Sequence, residues 1–541
     1  MSGLAERLQE LSPRKRELLL RQLRSQRGGE QPGLSAIPKQ PRDGRLFPLS
    51  YAQQRLWFLD QLEPGNPFYN LPGAVRLAGP LDERALRRAL AEVVRRHEAL
   101  RTVFVSDQGR PAQRIGEPPA LIMPVVDLGT LGPRREKVAM ALAAALVRRP
   151  FDLARGPLLR ALLLRLGPEE RVLAFVVHHI VADGWSLRIL VREVSALYAA
   201  CAAGAASPLP ELPVQYADYA AAERQWLAEG ILAPQLDHWK RRLAGLPAAL
   251  ELPADRPRPE MQTFRGGQQP LAVPPAVLDR LRALGQGAGT TLFMGLLAAF
   301  MTLLHRYTQC RDLAVGMPIA NRDRAETEGL IGFFVNTLVL RGDLSGDPPV
   351  RTLLARVRAA VLEAFAHRDL PFERLVEELR PERDLAHSPL FQVLFAFQSI
   401  PAAAPVAESL AARPLPVEIG RSLFDLTLSL EEEPGVLAGW FEYNRDLFDA
   451  ARLRRLAGHY LNLLAAMAAA PERRLSELPL LSAAERQQLL AEWAEPAGAG
   501  PARRRAHELF EARAAERPAA PALVWGALSW SYGELNARAN R

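Results

Sequence analysis

The segment 171–179 places the strongest single constraint on the fold. It is a short apolar run rich in β-branched residues, and it ends in the pair His178 and His179. Such a run is typical of a strand buried on both faces of a sheet. From Ser186 onward the pattern changes, and apolar side chains recur at helical spacing. A buried strand followed directly by an amphipathic helix predicts an α/β fold.

The same alternation of helices and strands continues on both sides of a proline-rich segment, residues 245–260. Before this segment, Asp82 is a good N-cap for an amphipathic helix, and residues 102–105 are typical of a strand. After it, helices are predicted at 291–307 and 350–367. Strands are predicted there at 312–318, 335–340, 390–398, 426–430 and 437–443. The order of elements therefore predicts two related α/β halves.

Composition narrows the functional classes. The 541 residues are 48% hydrophobic and 24% charged, as in globular proteins. The net charge is +8, but the basic residues alternate with acidic ones along predicted helices, so we expect no nucleic-acid partner. Two cysteines cannot form a disulfide framework and fit a reducing compartment.

No segment is predicted to enter a membrane. The longest apolar stretch runs from Leu292 to Leu304, which is shorter than the roughly 18 to 20 residues that span a bilayer. The N-terminus lacks the apolar core of a signal peptide. We therefore expect a cytoplasmic protein without a membrane partner.

The sharpest local motif is His178-His179-Ile-Val-Ala-Asp183-Gly184-Trp185-Ser186. Successive strand side chains point to opposite faces, so one histidine can face a cavity while the other packs in the core. An imidazole titrates near about 6.5 and suits general base catalysis. A metal site is disfavoured because adjacent histidines diverge, and a nucleophile is disfavoured because no Gly-x-Ser-x-Gly elbow is present. The pattern alone leaves a packed histidine pair open.

A set of ordered segments resembles the condensation domains of nonribosomal peptide synthetases, within the chloramphenicol-acetyltransferase-like superfamily. The motif from His178 to Gly184 resembles the family's His-His-x-x-x-Asp-Gly signature. The other segments, in the order of the family's motifs, are 50–59, 96–104, 216–219, 331–337, 367–373 and 383–393. Near the C-terminus, residues 528–535 are similar to the first core motif of an adenylation domain.

The resemblance implies an α/β fold of two chloramphenicol-acetyltransferase-like lobes, in a V-shaped pseudo-dimer with a tunnel between them. We expect the first lobe at residues 46–245 and the second at 246–490. An N-terminal helix and linker would occupy residues 1–45. A linker at 491–505 would lead to residues 506–541, which are too few to bury a core and are expected to be the truncated start of an adenylation domain.

The resemblance also implies a reaction, amide-bond formation. The α-amine of an aminoacyl thioester on a downstream acceptor carrier would attack an acyl or peptidyl thioester on an upstream donor carrier. His179 is expected to face the reaction chamber, where it acts as a general base, positions the amine or stabilises the tetrahedral intermediate. His178 is expected to pack and form a hydrogen bond.

The remaining motif residues have expected structural or lining roles. Asp183 is expected to form an ion pair with Arg101 and so hold its loop. Gly184 is expected to leave room beside a pantetheine arm and to offer a positive φ to the turn. The further channel candidates are Trp185, Ser186, Asn336 and Thr337.

No cofactor or metal is expected on the domain itself, because the phosphopantetheine arms belong to the partner carriers. The expected partners are the donor and acceptor carrier domains and the downstream adenylation domain, and the chain is expected to be a monomer. The segment 11–19 and the first motif resemble the subtype that joins two L-configured residues. A D-configured or fatty acyl donor is the alternative within the family. A non-catalytic recruitment platform and a CoA-dependent acyltransferase of the same fold are the rival classes.

Overall fold

The computed structural model describes residues 36–118, 122–230, 232–247, 249–380, 386–399, 410–417, 420–433, 435–493 and 505–541. The chain divides into two compact units after Leu480. Residues 1–35 of the expected N-terminal helix and linker lie outside the described residues, as does most of the predicted linker at 491–505.

Helices and strands alternate through most of the chain. The strands are β1 (Phe47–Pro48), β2 (Asn70–Ala78), β3 (Thr102–Asp107), β4 (Arg110–Ile115), β5 (Val125–Asp127), β6 (Leu159–Arg165), β7 (Glu170–His178), β8 (Gly266–Val273), β9 (Asp312–Ile319), β10 (Asn336–Asp343), β11 (Val393–Ser399), β12 (Ala411–Pro414), β13 (Leu426–Glu433), β14 (Val436–Asn444), β15 (Pro521–Trp525) and β16 (Leu528–Ser531). The helices are α1 (Tyr51–Leu62), α2 (Glu83–Arg96), α3 (Arg135–Arg148), α4 (Gly184–Ala202), α5 (Tyr216–Ala228), α6 (Ala233–Leu243), α7 (Pro275–Ala288), α8 (Leu292–Thr308), α9 (Ala325–Glu328), α10 (Val350–Ala366), α11 (Phe372–Leu379), α12 (Ala450–Ala469), α13 (Ala483–Gln487), α14 (Ala506–Glu516) and α15 (Tyr532–Ala539).

The first lobe is built on a five-stranded sheet with the order β12-β2-β7-β6-β5, and β1, β4 and β3 form a separate small sheet. Strand β7 lies in the middle and pairs antiparallel with β2 and β6. Its residues 172–178 are all buried, as its β-branched apolar sequence predicts. Helix α2 begins after Asp82, whose carboxylate accepts hydrogen bonds from the first backbone N–H groups.

The second lobe contains a six-stranded sheet with the order β10-β9-β11-β13-β14-β8. Helix α8 supplies the centre of its core, where residues 296–304 are all buried. The hydroxyl of Thr302 donates a hydrogen bond to the carbonyl of Ala298, so this polar group inside the apolar helix is satisfied. The predicted helices and strands of this half are present, with ends that differ by a few residues.

Two parts of the second half cross into the first lobe. Strand β12 pairs antiparallel with β2 and becomes an edge strand of the first-lobe sheet. The crossover segment, residues 330–334, packs in the first-lobe core through Leu330, Ile331 and Phe334. The lobes therefore share hydrophobic core as well as surface, which the simple sequence division into two halves did not predict.

The unit after Leu480 has little interior of its own. It contains the β15–β16 hairpin with helices α13, α14 and α15. Among its described residues Ala514 is buried, whereas Trp525 is 81% exposed. In the described part of the chain, no single helix is long and apolar enough to cross a membrane. Helices α7 and α8, which are bent by 104° relative to each other, reach the necessary length and apolar composition only when they are taken together.

We expect Gly332→Ala to destabilise the protein. A Cβ at this position would lie 2.0 Å from Cδ2 of the buried Tyr216, so the crossover segment would have to shift. Overpacking of this kind costs about 1–3 kcal/mol. Differential scanning calorimetry should show a lower melting temperature. The matched control is Gly329→Ala, whose Cβ would meet only Leu212 at an ordinary 3.7 Å. Equal melting temperatures for the two variants would contradict the account of the crossover segment.

Candidate active site

Strand β7 ends at His178, whose side chain is buried. Its Nδ1 accepts a hydrogen bond of 3.2 Å from the backbone N–H of Ile180, and its ring meets the rings of Tyr69 and Phe151 at steep angles. Burial lowers the pKa of His178 to about 3, assisted by the charge of Arg421. His178 is thus a neutral, packed hydrogen-bond acceptor.

His179 has a different environment from its neighbour. It begins a short 3-10 turn, residues 179–181, and its side chain is half-buried. Its Nδ1 is shut off from solvent and has no hydrogen-bond partner among the described residues, whereas Nε2 is not enclosed in this way. The ring meets Phe333 of the crossover segment in an edge contact with centroids 4.5 Å apart.

The charge state of His179 is set by its surroundings. Burial lowers its pKa to about 4, and the Arg421 charge acts in the same direction. Asp183 and the backbone carbonyls of His179 and Ala182 raise the pKa by less. The imidazole is therefore neutral near pH 7, and Nε2 is the ring nitrogen that is not fully shut off from solvent.

Asp183 is fully buried and caps helix α4. Its carboxylate accepts hydrogen bonds from the backbone N–H and the hydroxyl of Ser186, at 2.8 and 2.7 Å. It also accepts from Arg322, at 3.0 and 3.2 Å, and from the backbone N–H of Phe334, at 3.1 Å. These contacts occupy both carboxylate oxygens with groups from both lobes, so Asp183 is a structural residue.

The expected partner of Asp183 is wrong, because the ion pair is made by Arg322 and not by Arg101. The Asp183 and Arg322 side chains are 0% and 1% exposed, and their closest nitrogen–oxygen distance is 3.0 Å. Arg101 donates instead to the carbonyl of Gly116 at 2.6 Å and lies 3.6 Å from Glu98. The guanidinium of Arg101 thus belongs to the β3–β4 side of the first lobe.

Gly184 and Ser186 differ from their expected roles, whereas the place of Trp185 in a channel stays a prediction. Gly184 is exposed, its φ lies outside the left-handed region, and a Cβ there would lie 3.9 Å from Nε2 of Gln398. The positive φ expected for Gly184 is therefore wrong, and its expected place beside a pantetheine arm stays a prediction. Trp185 donates from Nε1 to the carbonyl of Glu328 at 3.1 Å. Ser186 is buried and contacts both Asp183 and the carbonyl of Gly332, so it is part of the lobe junction and does not line a channel.

Asn336 also serves structure. Its Nδ2 donates to the carbonyls of Arg368 and Leu370, both at 2.9 Å, and its Oδ1 accepts from the backbone N–H of Thr337 and Phe372. No amide group is left for a thioester, so the expectation of a channel role for the Asn336 side chain is wrong. Thr337 is half-buried, and its place in a channel stays a prediction.

Arg421 was not singled out from the sequence, although its charge lowers the pKa of both histidines. It reaches from the second half to the first lobe and donates to the carbonyls of Pro67 and Asn70, at 3.3 and 2.9 Å. Burial lowers its pKa to about 10. With residues of both lobes it lines an open cleft.

Arg322 was missed for a physical reason. It follows β9 by three residues in an ordinary polar loop, and its partner lies 139 residues away. The only local signal is a basic residue soon after a buried strand. Within the described residues, no group of three or more His, Cys, Asp or Glu side chains is arranged to hold a metal ion.

The fold and the site define a two-lobed α/β protein with a neutral histidine near the junction of the lobes. The chain belongs to the condensation domain family, whose model matches residues 45–490. This membership confirms the expected fold class of two lobes related as a pseudo-dimer.

The chain is similar to parts of large synthetases. It is 46% identical over 511 residues to one of the linear gramicidin synthase proteins of Brevibacillus parabrevis, a match that covers 93% of this chain and 6% of that protein. It is 41% identical over 544 residues to phosphinothricin tripeptide synthetase PhsC of Streptomyces viridochromogenes, a match that covers 100% of this chain and 50% of that protein. The chain thus spans from 6% to half of the length of these two relatives.

A solved structure of similar shape is the complex of the X-domain and OxyB from teicoplanin biosynthesis. The TM-score is 0.74 at 31% sequence identity, and the match covers 84% of this chain and 99% of the solved chain.

We expect Arg322→Leu to destabilise the protein far more than Arg101→Leu. Removing Arg322 leaves the buried Asp183 charge without its counter-ion, which costs about 3–5 kcal/mol. Removing Arg101 loses a partly exposed hydrogen bond, worth about 1 kcal/mol. Urea unfolding followed by tryptophan fluorescence measures both free energies of unfolding. A loss for Arg101→Leu as large as that for Arg322→Leu would favour Arg101 as the partner of Asp183.

Proposed function

We propose that the chain catalyses amide-bond formation between two carrier-bound thioesters. The observation that carries this proposal is the contrast within one motif. His178 and Asp183 are buried with hydrogen-bond partners, whereas His179 is half-buried with no partner among the described residues. A neutral imidazole whose side chain makes no hydrogen bond that holds the fold suits proton transfer.

In the proposed reaction the acceptor α-amine attacks the carbonyl carbon of the donor thioester. The C–N bond forms, the C–S bond breaks, and the donor carrier's thiol leaves. The proton lost from the amine passes to Nε2 of His179, which returns it to the departing thiolate. His179 can also act by hydrogen-bonding the amine in the attacking geometry, because orientation alone contributes strongly to such reactions.

The expected partners follow from this reaction. The names of the relatives, a gramicidin synthase and a tripeptide synthetase, support a role in peptide synthesis. The thioesters would be carried on phosphopantetheine arms of a donor and an acceptor carrier domain, so the chain itself needs no resident cofactor. A monomer in the cytoplasm that joins two L-configured residues is part of this proposal, with a D-configured or fatty acyl donor as the alternative.

A non-catalytic recruitment platform is the second candidate, because a similar structure is a complex of an X-domain with OxyB. One assay distinguishes the candidates. The chain is mixed with an acylated donor carrier and an aminoacylated acceptor carrier, and the mass of the acceptor carrier is measured by mass spectrometry. Product on the acceptor supports catalysis. Its absence with a panel of carriers supports the platform, and transfer from acyl-CoA alone supports a CoA-dependent acyltransferase.

We expect His179→Ala to lower the single-turnover rate of amide formation by about 100-fold to 10,000-fold, because proton transfer by a positioned side chain contributes this much. The matched control is His178→Asn, whose amide oxygen can still accept from the N–H of Ile180. That variant should react at close to the wild-type rate. A folded His179→Ala protein that reacts as fast as wild type would remove His179 from the reaction.

The pH dependence of the rate should come from the acceptor amine. The neutral imidazole that accepts a proton exists above its pKa of about 4, so the titration of His179 leaves the rate unchanged between pH 6 and 8. An ordinary α-amine titrates near about 8 and must be neutral to attack. Two acceptors with different amine pKa values should therefore shift the rising limb of the profile by that difference. If the rising limb of the rate profile stays at the same pH for both acceptors, the titrating group belongs to the protein and not to the acceptor amine.

A further inference from the structure

The crossover segment is held by hydrogen bonds from side chains of the first lobe. The backbone N–H groups of Ile331 and Gly332 donate to Nδ1 of His97 and Oγ of Ser186, at 3.2 and 3.1 Å. The N–H of Phe334 donates to Asp183, as described above. Tyr216 donates from its hydroxyl to the carbonyl of Phe333 at 2.6 Å. Four side chains thus bind consecutive backbone groups of one short segment.

His97 is the member of this set whose hydrogen bonds define its tautomer. A backbone N–H can only donate, so Nδ1 of His97 accepts from Ile331 and the proton resides on Nε2. Nε2 donates to Glu193 at 2.8 Å, and the same carboxylate accepts from Nε of Arg96 at 3.1 Å. His97, Glu193 and Arg96 are all buried, which fixes the ring in one orientation.

The segment that His97 holds is the one that touches His179. The Phe333 ring lies with its centroid 4.5 Å from that of His179, and Nδ1 of that imidazole is buried with no hydrogen-bond partner among the described residues. Packing therefore contributes to the position of the His179 ring, and Phe333 is an aromatic side chain in contact with it. An aromatic edge contact restricts ring orientation without changing the proton count of the imidazole.

We propose that His97 is a positioning residue for His179, because its Nδ1 anchors the segment that places the Phe333 ring against the His179 imidazole. This inference rests on the proposed function only for its effect on rate. Its structural content is that the bond from the backbone N–H of Ile331 to Nδ1 of His97 is one of the bonds that hold residues 331–334 in place. No bond between His97 and His179 themselves is observed.

Two substitutions at position 97 separate the two nitrogens of the ring. In His97→Asn the amide oxygen takes the place of Nδ1, so the N–H of Ile331 keeps its acceptor while the bond to Glu193 is lost. In His97→Gln the amide nitrogen takes the place of Nε2, so the bond to Glu193 is kept and the acceptor for Ile331 is lost. The variants are similar in polarity and remove the same aromatic ring.

The two variants are compared with the wild-type full chain by three measurements. These are hydrogen exchange of the peptide that contains residues 330–334, ¹³C-histidine NMR of the His179 signal, and the single-turnover rate of amide formation. We expect His97→Asn to remain close to wild type in all three. We expect His97→Gln to lose exchange protection, to shift the His179 signal and to slow the reaction by up to about 100-fold, as a misplacement of about 1 Å can. Equal behaviour of the two variants, or an unchanged His179 signal in His97→Gln, would overturn the proposal.

The exchange and NMR measurements need no turnover. If the wild-type chain forms no product, the proposed function is refuted, and the exchange and NMR results alone decide whether His97 positions His179. If His97→Gln does not fold, Phe333→Leu takes its place. That variant keeps the backbone hydrogen bonds of the crossover segment and removes the ring. A slower single-turnover rate with a shifted His179 signal and retained exchange protection supports the link from Phe333 to His179 on which the proposal depends, and an unchanged signal or rate overturns it.

Discussion

The buried ion pair between Asp183 and Arg322 is the interaction on which the arrangement of the two lobes depends. Neither side chain is appreciably exposed, so each charge must be balanced inside the protein. Asp183 meets this requirement with groups from both lobes, because it also accepts from Ser186 and from the backbone of Phe334. One carboxylate therefore starts helix α4 and holds the crossover segment in the first-lobe core.

The division of labour within the His-His-x-x-x-Asp-Gly motif follows from this constraint. Asp183 cannot serve a substrate because its oxygens are occupied, and His178 is enclosed by packing. His179 lies between them on a short turn, where it is neutral and unbonded among the described residues. Rigid neighbours on both sides leave one side chain of the motif available for chemistry, and the crossover segment supports it through Phe333.

Local patterns were sufficient for the elements but not for the contacts between them. The apolar run of β7 is typical of a buried strand, and the apolar spacing of α4 is typical of an amphipathic helix. The bounds of both elements were therefore predicted to within a few residues. The structural role of Asp183 follows from the resemblance to the condensation domain family. Its partner does not, because Arg322 is 139 residues away and any arginine of similar setting fits the local pattern equally well. The same limit applies to the pairing of β12 with β2 and to the bond between His97 and Ile331.

The central claim is that Nε2 of His179 meets the acceptor amine during amide formation. The most direct measurement is a crystal structure of the chain with a stable aminoacyl-pantetheine amide, an analogue in which the thioester sulfur is replaced by nitrogen. The account predicts that the α-amine lies within hydrogen-bond distance of Nε2, roughly 3 Å. An analogue bound with its amine elsewhere, while Nε2 contacts only protein groups, would contradict it.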